Sequence, residues 1–344
     1  MDELFKKLVD IPSISGNEAL FQQFVAGELS KHSSEKANTD VLNSFTAQVG
    51  TGSQKILLTA HADEIGFIVT YISDDGFVYF QPVGGVDADI AVGQIVKILT
   101  RTGEVIGIVG RAEAWDTASG EQSDTITPYK ELWIDIGDNE KTAEIVSVGD
   151  QVVFDTSCYE LSNSFALARG ADNKLGVYAL IRLVEIFAKE PNPEATLFAV
   201  TMAQEEIGSR GAQAVVNRVQ PHYSLIIDTI GATDTPVTDK EEIGQIMLGS
   251  GPTISRGSNT NADLFFVLEE IAKREKIPFQ VEAEAGPTAT DADAIQISGL
   301  GSATAVISIP VRYTHFPGEV FCWKDVENCI KLVAAFLKSV RSSV

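Results

Sequence analysis

The chain changes texture twice, and that change constrains its architecture more than any single residue does. Up to about residue 67, and again after Arg169, apolar runs alternate with stretches of helical spacing. Between about Ile68 and Asp155 helical periodicity nearly vanishes. Short strand-like runs (77–81, 94–99, 105–109 and 151–154) are separated there by Gly and Asp. The first texture predicts an α/β sheet covered by helices, the second a small β domain or barrel. The simplest assembly is one α/β unit from residues 1–67 and 163–344, interrupted by a β unit at 68–162. Residues 112–130, rich in Ser, Thr, Asp and Glu, read as a long loop.

Within the α/β part, Leu4, Phe5, Leu8 and Val9 form one helical face that Ile11-Pro12 ends. Ser15-Gly16-Asn17-Glu18 has the spacing of a capping box for a helix running through Leu29. The runs 55–61, 194–202, 224–228 and 303–309 read as strands. Leu175 to Lys189 reads as an amphipathic helix, and 211–219, 262–274 and 325–340 as further helices.

An open α/β sheet places its site outside the carboxyl ends of its strands. His61 and Asp63 stand at the first such end, Glu205 and Glu206 at the second, and Asp228 at the third; Arg312 and His315 follow the fourth. Asp172 lies in the turn Gly170–Gly176 that opens a helix. Imidazoles among carboxylates suit zinc, cobalt and related divalent ions. Two such ions ~3.5–4 Å apart can share a hydroxide and polarise a carbonyl. Each residue alone has a plainer reading. His61 could be a strand-end histidine, Glu205-Glu206 an acidic helix start, Asp172 an N-cap, and His315 a packing residue beside Tyr313 and Phe316. Their convergence favours the metal reading. His32 and His222 lie in polar stretches and read as surface residues, and Gly84-Gly85 reads as a turn.

Other chemistries lack support. The three Cys form no CxxC pair, which argues against a disulfide framework or a thiolate zinc site. No GxSxG elbow or Walker loop is present. With 48 acidic against 26 basic residues and a net charge of −22, nucleic acid and anionic membrane are not expected partners. The acidic N-terminal decapeptide does not read as a signal peptide, and no window reaches the ~18 apolar residues of a membrane span. A cytoplasmic protein is expected.

The motifs His61-Ala-Asp63-Glu-Ile-Gly-Phe, Gly170-Ala-Asp172-Asn-Lys, Gln204-Glu205-Glu206-Ile-Gly-Ser-Arg-Gly, Asp228-Thr-Ile-Gly-Ala-Thr-Asp-Thr-Pro and Ala305 through His315 occur in that order. Together they resemble the tetrahedral (TET) and glutamyl aminopeptidases. Pro82-Val-Gly-Gly-Val-Asp and Leu132-Trp-Ile-Asp-Ile-Gly are similar to that family's dimerisation domain. The resemblance implies a metallopeptidase domain with a mixed central sheet flanked by helices, interrupted by a small β-barrel-like dimerisation domain.

It also implies two divalent ions, zinc or cobalt. His61 and Asp228 would hold one, Glu206 and His315 the other, with Asp172 bridging. Glu205 would be the general base for a metal-bridged hydroxide attacking the first peptide carbonyl. Asp63 would orient His61. The implied substrates are peptides with a free N-terminus, and the implied assembly is a homo-oligomer, up to a dodecamer built from dimers. The chain departs from the family pattern at Lys174, at Phe316-Pro-Gly-Glu319 and at Thr288-Ala-Thr-Asp-Ala-Asp. A related di-metal deacylase, a glucanase and a catalytically silent shell protein are the competing readings. A glutamyl preference would require a basic pocket, for which Lys174, Arg256 and Arg312 are the candidates.

Overall fold

The computed structural model describes residues 1–33, 38–112, 128–137, 141–236, 238 and 240–341. The loop expected at 112–130 therefore lies outside the described residues over 113–127. The chain opens with helices α1 (Glu3–Asp10) and α2 (Ala19–Ser30) and strands β1 (Asn38–Thr39), β2 (Phe45–Val49) and β3 (Gln54–His61). The β-rich segment supplies β4 (Gly66–Ile72), β5 (Val78–Val83), α3 (Ala88–Ala91), β6 (Ile95–Thr100), β7 (Gly103–Arg111), β8 (Leu132–Asp135), α4 (Thr142–Ile145) and β9 (Gln151–Phe154). Then come β10 (Tyr159–Glu160), β11 (Phe165–Ala168), α5 (Ala171–Lys189), β12 (Ala195–Met202), α6 (Arg210–Val219), β13 (Tyr223–Gly231) and α7 (Lys240–Ile243). The last elements are β14 (Thr253–Gly257), α8 (Ala262–Glu275), β15 (Gln280–Glu284), α9 (Asp291–Ile297), β16 (Ala303–Arg312), β17 (Glu319–Cys322) and α10 (Trp323–Ser339).

Strands from both sides of the β-rich segment build one mixed sheet. Its centre, β12–β3–β13–β16, is parallel, while β2 and β17 add antiparallel strands. A parallel centre is covered on both faces, which is why its strands read as unbroken apolar runs. Alternate residues divide between two cores. Ile56 and Leu58 pack with residues of α1, α2, α5, α8 and α10, whereas Leu57, Val200, Ile226 and Val306 pack with α6 and α9. Helix α5 is buried on nearly every side, including Val177, Leu180, Ile181, Val184 and Phe187. The helix expected over Leu175–Lys189 is present, and more of its circumference is buried than one apolar face, because α1 and α10 also pack against it.

The β-rich segment is a closed barrel in the order β4-β5-β8-β7-β6-β9. Phe67 meets Phe80 and Phe154 edge-on in its interior, with ring centroids 4.8 and 5.2 Å apart. An α/β architecture with a mixed sheet, flanking helices and a small β barrel is thus the observed fold class.

One local expectation fails. Ser15 does not cap α2; the N-cap position is Glu18, and no side chain caps the helix. Ser15 Oγ donates instead to Asp63 Oδ2 at 2.6 Å, and Glu18 Oε1 accepts from the Gln204 amide at 3.1 Å. Both side chains find partners at the sheet's carboxyl edge that outcompete the local cap.

Candidate metal centre and catalytic cavity

The strand register brings the candidate residues together. His61 ends β3 opposite Met202 of β12, so the turn after β12 places Glu205 and Glu206 beside it. On β13, Ile226 pairs with Thr59, which puts Asp228 level with His61 one strand over. Asp172 enters from the start of α5, where its backbone is not helical and Gly170 occupies the N-cap position. It is therefore not a plain N-cap. His315 arrives on the turn between β16 and β17 with φ +65°.

The two imidazoles are held in the same way. His61 Nδ1 donates to the Asp63 carbonyl at 3.0 Å, which turns Nε2 toward Asp172 Oδ1 at 3.1 Å and Asp228 Oδ1 at 3.5 Å. His315 Nδ1 donates to the Gly85 carbonyl at 2.9 Å, and its Nε2 faces Glu206 Oε2 at 3.3 Å and Asp172 Oδ2 at 3.6 Å. A carbonyl can only accept, so each Nδ1 carries the proton and each Nε2 is left to face carboxylates. That arrangement requires a positive charge at Nε2, either a proton or a cation. Asp172 offers one oxygen to each ring. Ligand atoms of His61, Asp172 and Glu206 all lie within 4.8 Å of one another. Glu206 Oε1 is buried with no hydrogen-bond partner. The donor set thus fits divalent cations, and His with carboxylate suits zinc or cobalt.

The electrostatics agree. Burial alone would lower both imidazoles, but Asp172 and Asp228 raise His61 well above its ordinary value, and Asp172 and Glu206 lift His315 to about 11. Burial pushes Glu206 and Asp228 up. It also drives Glu205 to about 9, with Asp228, Asp291 and Glu206 adding repulsion. Asp172, between both rings, is instead held below the carboxylate range despite its burial, by hydrogen bonds from His315 and His61. So many carboxyls forced toward neutrality mark a site short of positive charge.

Asp63 does more than lie near His61. Its carboxylate is 3.5 Å from Nδ1, whereas its backbone carbonyl makes the closer contact. Asp63 Oδ1 accepts from the Glu205 amide at 2.9 Å, and Oδ2 accepts from the Glu206 amide at 3.1 Å and from Ser15 Oγ. It fixes the turn that presents both glutamates.

Several residues with no role evident in the sequence also stand here. Glu319 is 2% exposed; its two oxygens accept from the amides of Asp172 at 2.9 Å and His315 at 2.8 Å. Gly84 and Gly85, read as a mere turn, abut the site from the barrel. A Cβ on Gly84 would lie 2.8 Å from Ile65 Cγ2 and 3.4 Å from Glu206 Oε2, and one on Gly85 3.1 Å from His315 Nδ1. Asp291, buried with both oxygens unpartnered, is pushed up to about 8 by burial and by Asp228 and Asp63. The offset of four residues from His315 was a legible signal for Glu319; the glycines act through a tertiary contact that carries none.

The basic-pocket candidates are engaged elsewhere. Lys174 is 1% exposed and donates to Glu64 at 2.5 Å. Arg312 makes a two-pronged pair with Asp234 at 2.7 and 2.6 Å. Arg256 stacks over Phe265 and Phe266, 5.2 and 5.3 Å from the ring centroids.

Comparison with known proteins gives a consistent picture. A family model described as M42 glutamyl aminopeptidase matches residues 43–332. The chain is 32% identical to the lysyl aminopeptidase of Pyrococcus furiosus over 350 residues, covering 98% of this chain and 97% of that protein. Among solved structures, it resembles a TET aminopeptidase from the marine sediment archaeon Thaumarchaeota archaeon SCGC AB-539-E09. The TM-score is 0.92 at 29% identity, covering 98% of this chain and 96% of that one. It also resembles the TET1 peptidase of Pyrococcus horikoshii, which can assemble into a tetrahedron or a large octahedral shell. There the TM-score is 0.86 at 29% identity, covering 98% of this chain and 99% of that one.

Proposed function

Because the chain belongs to the M42 glutamyl aminopeptidase family and is a peptide hydrolase, we propose that it is a di-metal aminopeptidase releasing residues from peptides with a free N-terminus. The observation that carries this reading is the shared orientation of the two imidazoles, each turned by a backbone carbonyl so that Nε2 faces Asp172. His61 and Asp228 would hold one ion, Glu206 and His315 the other, and Asp172 both, with zinc or cobalt as the ions. Bound there, they supply Lewis acidity, lowering the pKa of a water toward ≈ 7 and polarising the scissile carbonyl.

The chain's own residues do the rest. Glu205 lines the same cavity and accepts from Ser209 Oγ at 3.2 Å. It takes the proton of the attacking water and returns it to the leaving amine nitrogen, the role of a general base that becomes an acid. Cations beside it favour its ionised form. Asp63 holds Glu205 and Glu206 in register, and Glu319 fixes the backbones that carry Asp172 and His315.

The proposal extends to assembly. Ile95 and Ile108 pair across β6 and β7, and with Ile106 they expose an apolar face on the barrel. We assign that face to a dimer contact, within a homo-oligomer that reaches a dodecamer. No helix among the described residues is long and apolar enough to cross a membrane, and a cytoplasmic location fits the proposal.

The test compares a free and an N-acetylated peptide as substrates of chelator-stripped protein reloaded with zinc or cobalt. Release from the free peptide only, lost on stripping and restored by metal, is expected. The Glu205→Gln variant should bind metal normally and turn over ~10²–10⁴-fold more slowly. Equal cleavage of the acetylated peptide would favour the deacylase reading, and a fully active Glu205→Gln would remove Glu205 as base.

A further inference from the structure

The cavity that contains the metal centre, ≈ 160 Å³, extends onto the face of the sheet formed by β14, β15 and β16. Strand β15 presents alternate faces. Val281 and Ala283 are exposed, whereas Glu282 and Glu284 turn inward and line the cavity. Glu282 is anchored, its Oε2 accepting from Ser255 Oγ at 2.8 Å and Thr253 Oγ1 at 3.2 Å. Glu284 stands two residues on, on the same face. Its backbone is pinned where β14 passes Gly257: a Cβ there would lie 1.8 Å from the Glu284 carbonyl.

Among the described residues, no Lys or Arg lines this cavity. Lys174, Arg256 and Arg312 are all committed elsewhere. The same cavity contains Glu206, whose buried Oε1 lacks a partner, so it is built to receive a ligand. Two divalent ions would match the four carboxylates Asp172, Glu205, Glu206 and Asp228. Glu282 and Glu284 would remain uncompensated.

We infer that Glu282 and Glu284 form the pocket for the substrate's N-terminal side chain and select lysine or arginine. This rests on the aminopeptidase reading of the same cavity. The ammonium or guanidinium of such a residue brings the one charge the pair lacks, and an arginine can meet a carboxylate with two parallel hydrogen bonds. An N-terminal glutamate would instead bring a third carboxylate to two already in contact. The pair's need for a cation shows in Glu282 itself, whose carboxyl is pushed up to about 8 by burial and by its hydrogen bond with Glu284.

The experiment measures kcat/KM of the zinc- or cobalt-loaded full chain for the p-nitroanilides of lysine, arginine, leucine and glutamate. The wild type should favour lysine and arginine over leucine by at least about tenfold, with glutamate last. In Glu284→Gln and Glu282→Gln the loss on lysine and arginine should exceed the loss on leucine by about tenfold or more. Glu284→Lys should raise glutamate relative to lysine. A wild-type preference for glutamate or leucine overturns the inference. So does an equal loss on all four substrates, which would make the pair a reader of the α-amine. Failure of the loaded wild type on every substrate would strike the aminopeptidase reading itself, and the inference would fall with it.

Discussion

Replacing Glu64 with Gln tests how the loops that carry the site are tied together. Glu64 follows Asp63 and is 1% exposed. Its Oε2 accepts from Arg169 Nε at 2.9 Å, and its Oε1 from Lys174 Nζ at 2.5 Å and the Ser13 amide at 2.9 Å. Arg169 and Lys174 bracket the turn that presents Asp172. Burial by itself would raise the Glu64 carboxyl, but the two cations outweigh it and hold it at about 2, against an ordinary 4.5. At about 1.4 kcal/mol per pH unit, that displacement corresponds to about 3 kcal/mol of stability. Removing one member of a buried ion pair costs a similar ~3–5 kcal/mol.

Because the folded value lies below the ordinary one, the stabilisation is complete above pH 4.5 and is lost as pH falls through about 2. Urea unfolding should therefore show Glu64→Gln about 3 kcal/mol less stable at pH 7, with an unchanged slope, and a narrower gap at pH 3. Zinc titration should show weakened binding, since the Asp172 turn loses its anchor. A loss below about 0.5 kcal/mol at pH 7, or a gap that widens on acidification, would refute the reasoning.

Two further substitutions probe the same scaffold. Gly84→Ala should lose ~1–2 kcal/mol for its left-handed backbone and should also weaken metal binding, because the new methyl crowds Ile65 and Glu206. Gly93→Ala, with the same φ of +76° and nothing within 4 Å of its Cβ, should share the stability loss and keep the affinity; equal affinities in the two variants would count against the crowding. Asp63→Asn sets an amide donor against a backbone N–H of Glu205 or Glu206, at a cost of ~1–3 kcal/mol. Isothermal titration should show metal affinity reduced ~10–100-fold, and an unaltered affinity would deny Asp63 its positioning role.

The fold was legible where physics acts locally. Ile56-Leu-Leu58, Leu225-Ile-Ile227 and Val306 to Ile309 read as buried strands because they are short, rich in branched residues and end in polar ones, and the structure pairs them in parallel. Polar residues at their ends then stand out as site candidates. What escaped notice depends on distant partners. Strands β14 and β15 carry no apolar run that marks them, yet Ser255, Glu282 and Glu284 on them line the cavity. Ser15 and Glu18 have perfect capping spacing, but Asp63 and the Gln204 amide attract them more strongly. Lys174 reads as a charge available to substrate and is consumed by Glu64.

The Gly85 carbonyl comes from the barrel, while the ring it orients comes from the sheet. The barrel is thus a structural component of the candidate metal centre, besides carrying the apolar face proposed for a dimer contact. Excising it, or exchanging it for another small β module, would free His315 to rotate unless the replacement returned an acceptor to the same point. The two parts can diverge in their outer surfaces, but at that one peptide group they must change together.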